Sequence, residues 1–279
     1  MQKIIISNQK IFLNTLSKIK SEGFMKVHVL ADFDRTLTKA YSWWKLRPSL
    51  ISVLRSEWYL WEKYSKKAYE LFDYYNPIEI NPNISLEEKK KEMTIWWNKH
   101  LDLLVKSKLH KSDIEKIIES WVIEFRPWIK RFLKFLSENN IPIVIISANW
   151  LGTDSIEMYF EKEWFLTPNV KIISNEFYWD ENGNASWYDK RVIHVFNKDE
   201  TVLSEFPEIH DLVENRTNVI LLWDSLGDPG MIKWFDYDNL LKIWFLNEKE
   251  DKLLEKYKES YDVVLTWDND GEFLDNLFN

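Results

Sequence analysis

Two aspartates stand two residues apart directly after an apolar run near the start of the chain. They are Asp32 and Asp34, in the segment DFDRTLT that follows VHVLA. At the carboxyl end of a strand in an open α/β sheet, both side chains would reach the crevice that binds ligands. One carboxylate could attack phosphorus and form a covalent ester, while the other gives and takes protons. Aspartates are also common turn residues after strands, so this pair alone leaves both interpretations open.

A second acidic motif, DSLGD, follows the apolar run NVILLW and contains Asp224 and Asp228. Carboxylate oxygens are ligands that Mg²⁺ prefers, usually one or two of them together with phosphate and water. A polar surface loop would have the same composition, so this motif gains meaning only together with the first.

Two further polar residues follow apolar runs. Ser147 ends IPIVIIS, and its hydroxyl and the N–H groups after it could hold a phosphate oxygen. Lys198 ends VIHVFNK and could neutralise a phosphoryl group. A serine after a strand is commonly a cap, and most lysines are solvated. The order of the four motifs along the chain, taken together, predicts phosphoryl transfer.

Short Val- and Ile-rich runs that alternate with helical patterns predict an α/β core with a mostly parallel sheet. The predicted strands are Val27–Phe33, Ile141–Ile146, Val170–Ile173, Val192–Phe196, Asn218–Leu222, Leu241–Phe245 and Asp262–Leu265. The predicted helices between them are Ile129–Glu138, Ser155–Glu163 and Glu248–Ser260.

Residues 42–128 have a different pattern, with long charged helical segments at Ser85–Lys99 and Ser112–Glu124 and few convincing strands. We therefore expect a catalytic core formed by residues 1–41 and 129–279, with residues 42–128 inserted as a mainly helical domain.

The composition excludes several classes of protein. The net charge of -8 argues against a nucleic-acid binder, which would carry a basic stripe. The absence of cysteine excludes thiolate chemistry and cysteine-bound zinc. Neither a signal-peptide pattern nor a run of about eighteen apolar residues is present, so we expect a cytoplasmic protein without a membrane span. The sequence carries no signal of an oligomeric state and is compatible with a monomer.

These motifs resemble the haloacid dehalogenase (HAD) superfamily of phosphatases and, more narrowly, the pyrimidine-type cytosolic 5'-nucleotidases. The resemblance runs from Lys26 to the C-terminus. It implies a three-layer, Rossmann-like core with a helical cap inserted between the first and second motifs. The segments that carry it are DFDRTLT, ISA at 146–148, VIHVFNK, NVILLWDSLGDPGM, LLKIWFLN and KLLEKYKESYDVVL.

The resemblance also implies roles for individual residues. Asp32 would be the nucleophile and Asp34 the general acid and base, with Lys198 as a third catalytic residue. Mg²⁺ would be held by the Asp32 carboxylate, the Asp34 backbone carbonyl and Asp224, with support from Asp228. The phosphate would contact Ser147, Ala148, Asn149 and Lys198.

The reaction implied by the resemblance is hydrolysis of a nucleoside 5'-monophosphate to nucleoside and phosphate. Two alternatives remain open at this point. One is a phosphatase of another small phosphomonoester, such as a phosphorylated sugar. The other is a catalytically impaired homologue that still binds nucleotides.

The predicted cap departs from the family pattern at Ile95. The family has a glutamate before an aromatic residue, in a pattern like M-x-E-W, whereas this chain has Met93-Thr94-Ile95-Trp96-Trp97. Isoleucine cannot accept a hydrogen bond from a base. Trp96 or Trp97 could still stack on one, or both could be core residues of a helix.

Tryptophan stands at several positions where the family pattern has glycine. The chain has 6 glycines and 16 tryptophans, although glycine usually makes up about 7% of a protein. We hypothesise that UGA codons of this gene are read as glycine in the organism and were translated here as tryptophan; ordinary sequence drift is the alternative. The suspected positions are Trp44, Trp128, Trp150, Trp187, Trp223, Trp234 and Trp244.

Overall fold

The computed structural model describes residues 4–43, 45–56, 59–198, 206–224, 237–247, 254, 260–266, 268, 272–275 and 277. The strands in chain order are β1 (Ile4–Ile6), β2 (Val27–Ala31), β3 (Tyr41–Ser42), β4 (Lys45–Leu46), β5 (Ile143–Ile146), β6 (Val170–Ile173), β7 (Phe177–Trp179), β8 (Ala185–Tyr188), β9 (Asn218–Trp223), β10 (Asn239–Leu246) and β11 (Val263–Thr266).

Seven of these strands form one sheet, in the order β1-β11-β10-β9-β2-β5-β6. All neighbours pair in parallel except β1, which runs antiparallel to β11. In the register of the central strands, Ala31 lies between Ile145 and Leu222. The carboxyl ends of β2, β5 and β9 therefore meet at one edge of the sheet.

Helices pack against both faces of this sheet. They are α1 (Gln9–Glu22), α6 (Ile129–Glu138), α7 (Gly152–Lys162), α8 (Pro207–Val213) and α9 (Glu272–Asp275). Val29 and Ala31 of β2 belong to the apolar cluster that includes α1, α6 and α7, whereas Leu30 belongs to the cluster that includes α8. Alternate residues of a strand point to opposite faces, so the core has three layers, as predicted.

Helices α2 (Leu50–Ser56), α3 (Glu62–Ile80), α4 (Leu86–Lys106) and α5 (Lys111–Glu119) lie between β2 and β5 in the chain. Helix α4 begins where the Ser85 hydroxyl accepts a hydrogen bond from the Glu88 backbone N–H at 3.2 Å, an N-cap that satisfies one orphan donor. Helix α5 begins with a capping box between His110 and Asp113. The helical character of this stretch matches the sequence pattern, while the domain bounds 42 and 128 stay a prediction.

The predicted strand Val192–Phe196 is wrong, because these residues form a loop with a turn. The Asn197 side chain closes the loop, accepting from the His194 backbone N–H at 2.6 Å and donating to the Val192 carbonyl at 2.8 Å. These bonds replace the ladder that a strand would need. The predicted helix Glu248–Ser260 falls outside the described residues, except for Leu254 and Ser260.

Several elements were not predicted from the sequence, among them the edge strand β1, helix α1 and the short hairpin of β3 and β4. The hairpin of β7 and β8 was not predicted either. It packs against α4, where the Tyr188 hydroxyl donates to the Asn98 carbonyl at 3.2 Å. Part of the chain after residue 129 therefore lies against the inserted helices. Among the described residues, no helix combines the length and apolarity needed to cross a membrane.

The tryptophans occupy unusual environments. Trp121 and Trp164 follow α5 and α7 with φ of 60° and 63°, and their side chains are 67% and 90% exposed. The left-handed region strains any residue with a Cβ, and glycine is the usual residue where a helix ends in this conformation. Of the suspected positions, Trp128, Trp223 and Trp244 are buried and Trp187 is exposed, whereas Trp44 and Trp234 lie outside the described residues.

Candidate active site

Asp32 is the first residue after β2 and is buried at the carboxyl edge of the sheet. Its Oδ1 accepts hydrogen bonds from the Phe33 backbone N–H and from Lys198 Nζ, both at 2.8 Å. Lys198 is equally buried, so the two charges compensate each other away from water. This arrangement fixes the orientation of the Asp32 carboxylate.

Asp34 lies in the turn Phe33–Leu37 that follows, where Arg35 adopts a left-handed φ of 59°. Thr38 Oγ1 accepts from the Arg35 backbone N–H at 2.9 Å and thereby holds this turn. Asp34 Oδ2 accepts from Asn149 Nδ2 at 3.4 Å. Burial, reinforced by the charge of Asp32, raises the pKa of Asp34 to about 6. Asp34 can therefore carry or release a proton near neutral pH.

Asp224 follows β9, next to the end of β2, as the register requires. Asn247 Nδ2 donates to its Oδ2 at 3.2 Å. Burial and the charge of Asp32 raise the pKa of Asp224 to about 7. The buried carboxylate of Asp32 and the partly buried carboxylate of Asp224 repel each other and form a donor set that a divalent cation would neutralise, so the residues present fit Mg²⁺. Asp228, the remaining predicted metal residue, lies outside the described residues.

The predicted phosphate loop follows β5. Ser147 is buried, and its Oγ accepts from the Asn149 backbone N–H at 3.2 Å. Asn149 Oδ1 accepts from the Leu151 backbone N–H at 2.8 Å, which tightens the turn before α7. Gly152 begins that helix with φ of 73°, and a Cβ there would lie 2.4 Å from the Asn175 carbonyl oxygen. The loop can take this path because residue 152 is glycine.

Lys198 comes from the loop that replaces the predicted strand. Asn175 holds this loop by accepting from the Ile193 backbone N–H at 2.9 Å and donating to the Ile193 carbonyl at 3.0 Å. Lys198 Nζ also lies 4.8 Å from the centre of the Trp223 ring, which borders Asp224 in sequence. The structure therefore brings Asp32, Asp34 and Lys198 together with Asp224 and the loop at Ser147 around one cavity.

Sequence reasoning missed Arg126, which is completely buried behind the site. Its Nε donates to the Thr36 carbonyl at 2.8 Å, and its Nη2 donates to Asn247 Oδ1 at 2.9 Å. It also pairs with Asp268 at 3.1 Å. Burial lowers the pKa of Arg126 to about 10, so it remains charged. No pattern around Arg126 in the sequence signals this role.

The cavity has a volume of about 500 Å³ and extends from the carboxylates to the inserted helices, a size typical of small-molecule sites. Its far end is aromatic, with Phe72, Trp96, Trp97, His100 and Trp150 in the wall. Ile95 is absent from this wall. Glu79 of α3 lines it, and burial raises the pKa of its carboxyl group.

The fold is HAD-like, and Asp32, Asp34 and Asp224 line the cavity at its strand ends. A HAD family hydrolase from Salmonella enterica serovar Typhi has the same fold, with a TM-score of 0.52 at 13% identity over 85% of this chain and 66% of that one. The chain belongs to the pyrimidine 5'-nucleotidase (UMPH-1) family, whose model matches residues 35–278.

Relatives and a solved structure agree with this family. The 7-methylguanosine phosphate-specific 5'-nucleotidase of Mus musculus is 34% identical over 93% of this chain and 86% of its own length. The putative cytosolic 5'-nucleotidase 3 of Caenorhabditis elegans is 32% identical over 96% of this chain and 72% of its own length. The structure of cytosolic 5'-nucleotidase IIIB bound to cytidine has a TM-score of 0.86 and 27% sequence identity, and the match covers 99% of this chain and 91% of that one. The chain is thus an enzyme of the 5'-nucleotidase class, and phosphatases of this fold generally use Mg²⁺.

Proposed function

We propose that this protein hydrolyses nucleoside 5'-monophosphates in a Mg²⁺-dependent reaction with Asp32 as the nucleophile. The observation that carries the proposal is the buried Asp32–Lys198 pair, joined at 2.8 Å in a cavity that Asp34 and Asp224 also line. The proposal includes a cytoplasmic location. Its support is that the Caenorhabditis elegans relative is named as a cytosolic 5'-nucleotidase.

In the first step Asp32 attacks phosphorus through Oδ2, because its Oδ1 is held by Lys198 and Phe33. A new bond joins the carboxylate oxygen to phosphorus, and the bond between phosphorus and the 5'-oxygen of the nucleoside breaks. Asp34 gives its proton to the departing 5'-oxygen. A pKa of about 6 leaves part of the Asp34 population protonated at neutral pH.

In the second step the ionised Asp34 takes a proton from water. The resulting hydroxide attacks phosphorus, the bond to Asp32 breaks, and phosphate leaves while the Asp32 carboxylate is restored. Lys198 offsets the negative charge that spreads over the phosphoryl oxygens in both steps. Ser147, Ala148 and Asn149 would contact these oxygens through the loop after β5.

The metal would be held by the Asp32 carboxylate, the Asp34 backbone carbonyl, Asp224 and Asp228. When bound, Mg²⁺ supplies positive charge to the phosphoryl group and relieves the repulsion between Asp32 and Asp224. The Asp224 carboxylate is kept in position by Asn247 at 3.2 Å.

The test is phosphate release from a panel of nucleoside and sugar monophosphates, measured with and without Mg²⁺. Asp32→Asn should abolish turnover without unfolding the protein, because an amide cannot replace the nucleophile. The matched control is Asp211→Asn on the exposed side of α8, which should keep full activity. Retention of more than roughly a tenth of the wild-type rate by Asp32→Asn would refute the nucleophile, since losing one costs far more.

A second candidate substrate is a smaller phosphomonoester, such as a phosphosugar. The observation that favours it is the Trp150 ring, which stacks on Trp97 at the far end of the cavity. The same panel discriminates, because preference for ribose 5-phosphate over every nucleotide would support this candidate. The proteins named above differ in the base of their ligand: one is named as specific for 7-methylguanosine phosphate, and the structure of another is bound to cytidine.

A further inference from the structure

We infer that helix α4 of the inserted segment positions Lys198 through a hydrogen bond between Thr94 and His194. This inference rests on the proposed function and concerns how its lysine is held in place. The lysine loop is defined as residues 192–198, which follow β8 and end at Lys198. Neither Thr94 nor His194 lines the cavity, so both are positioning residues that act on the reaction through the lysine.

The hydrogen bonds around the His194 ring fix which of its nitrogens carries the proton. The Phe196 backbone N–H donates to Nδ1 at 3.2 Å, so Nδ1 is unprotonated. The proton of the neutral ring is therefore on Nε2, which donates to Thr94 Oγ1 at 3.0 Å. The Thr94 hydroxyl in turn donates to the Lys90 carbonyl at 2.8 Å. One continuous chain of hydrogen bonds thus joins the lysine loop to α4.

His194 is also tied to the backbone from which the lysine side chain extends. The ring is buried, and the His194 backbone N–H donates to Asn197 Oδ1 at 2.6 Å. The His194 carbonyl accepts from the Asn197 backbone N–H at 3.1 Å. Asn197 directly precedes Lys198, whose Nζ donates to Asp32 Oδ1 at 2.8 Å. A shift of the His194 ring would therefore change the position of the lysine relative to the nucleophile.

The other side of the lysine loop is held by the core. Asn175 Nδ2 donates to the carbonyls of Ile193 and Asn149, both at 3.0 Å. Within the described part of the chain, the contact between Thr94 and His194 is the side-chain hydrogen bond that joins this loop to α4. The loop is thus fixed from two directions, and one of them is the inserted segment.

Helix α4 contacts the phosphate loop as well as the lysine loop. Trp97 lies one turn after Thr94, on the same side of the helix, and its Nε1 donates to the Ala148 carbonyl at 3.4 Å. Lys89 Nζ lies 5.3 Å from the centre of the Phe196 ring. Since a displacement of about 1 Å in a reacting group can cost roughly 10² in rate, the docking of α4 on these loops bears directly on turnover.

The test is a double-mutant cycle of Thr94→Val and Lys198→Met, with kcat measured on cytidine 5'-monophosphate. Thr94→Val alone should lower kcat about 2- to 12-fold, the factor that corresponds to one hydrogen bond. In the Lys198→Met background the same change should lower kcat less than about 2-fold, because a residue that acts through the lysine has no effect without it. Equal falls of kcat in both backgrounds would overturn the inference.

Two further variants separate positioning from a general loss of stability. Thr94→Ser keeps the hydroxyl and should restore a kcat close to that of the wild type. Thr217→Val removes a threonine hydrogen bond to Asp238 just before β9, at the opposite end of that strand from Asp224, and should leave kcat unchanged. If Thr94→Val does not fold, His194→Asn replaces it in the cycle, because asparagine can accept from the Phe196 N–H but is too short to reach Thr94.

Hydrogen exchange followed by mass spectrometry tests the inference without turnover. The amides of residues 192–198 should exchange faster in Thr94→Val than in the wild type and at the wild-type rate in Thr94→Ser. Unchanged exchange in Thr94→Val would overturn the inference. The proposed function fails by a different result, namely no Asp32-dependent phosphate release from any substrate of the panel, and the exchange measurement decides the inference in that case too.

Discussion

Asp32 and Lys198 form a buried ion pair, so each side chain holds the other in position. Lys198 Nζ donates to Asp32 Oδ1 at 2.8 Å, and Asp224 adds a second negative charge nearby. Removing one member of a buried pair leaves an uncompensated charge. Lys198 therefore orients the nucleophile and offsets the negative charge of the phosphoryl group.

We expect Lys198→Met to lower kcat by about 10²–10³, the usual cost of losing one group that stabilises the transition state. Steady-state kinetics with saturating Mg²⁺ measures this. Lys134→Met changes an exposed lysine of α6 and serves as the control with normal kinetics. A kcat within a few-fold of the wild type in Lys198→Met would contradict the role.

Trp164 is strained by its left-handed backbone, with φ of 63° and a side chain that is 90% exposed. Trp164→Gly should increase the free energy of unfolding by about 1 kcal/mol, since a left-handed residue with a Cβ costs roughly 1–2 kcal/mol. Urea denaturation measures the change. Trp187→Gly in the extended strand β8 is the control and should lower stability, because glycine weakens a strand.

The glycine hypothesis predicts the codons of this gene. The structure adds Trp121 and Trp164 to the suspected positions because of their φ of 60° and 63°. We expect UGA at these two codons and at 150, 223 and 244. Peptide masses of the protein isolated from its own organism should show glycine there. UGG codons at 223 and 244 would exclude the hypothesis.

At the scale of elements, Arg126 ties the turn after β2 to residues far along the chain. It bonds the Thr36 carbonyl, Asn247 and Asp268, and Asn247 in turn bonds Asp224. Asp268 also accepts from the Ala40 backbone N–H at 2.7 Å. The guanidinium therefore positions two of the strand ends that carry the site.

Arg126→Met should lower the free energy of unfolding by about 3–5 kcal/mol, the cost of leaving a buried ionic partner uncompensated. Thermal and urea unfolding measure this. Arg131→Met changes an exposed arginine in the first turn of α6 and should alter the free energy of unfolding far less. Equal stability of the two variants would show that the network around Arg126 contributes little.

At the scale of the whole molecule, burial of histidines couples stability to pH. His28 in β2 is buried and its Nδ1 lies 2.7 Å from the Arg216 carbonyl oxygen. Burial lowers the pKa of His28 from 6.5 to about 4. Burial lowers the pKa of His100 in the same direction, to about 3. Both are neutral in the folded protein, whereas the unfolded chain binds protons below pH 6.5.

The contribution of the two histidines to the free energy of unfolding should therefore be constant above the unfolded pKa and fall as the pH decreases from about 6.5 towards 4, whereas the raised pKa values of Asp34 and Asp224 act in the opposite direction. His28 alone should account for a loss of about 2 kcal/mol between pH 7.5 and pH 5. Urea unfolding of the wild type and of His28→Gln at both pH values measures it. In His28→Gln, the free energy of unfolding should change less between the two pH values, by about the share that His28 contributes. An equal change in the variant and the wild type would exclude His28 as the source.

Much of the architecture could be predicted because its signals are local. Apolar runs marked β2, β5, β6, β9, β10 and β11, and helical periodicity marked α4 to α7. Residues 192–196 were predicted as a strand because they are rich in Val and Ile. They form a loop instead, because the side chain of Asn197 bonds to the backbone of His194 and Val192. Hairpin β7–β8 is short, and it packs against α4 through contacts that local patterns do not contain.

Local sequence patterns are enough to show that Asp32, Asp34, Ser147 and Asp224 follow apolar runs, and a parallel sheet requires such ends to meet at one edge. The groups that complete that edge come from segments that are distant in the chain and meet through packing. Arg126 and Asn247 are 121 residues apart yet share a hydrogen bond, and Trp150 meets Trp97 through packing between a loop and a helix. Such contacts depend on how distant segments pack, whereas the position of a strand end depends on its own residues.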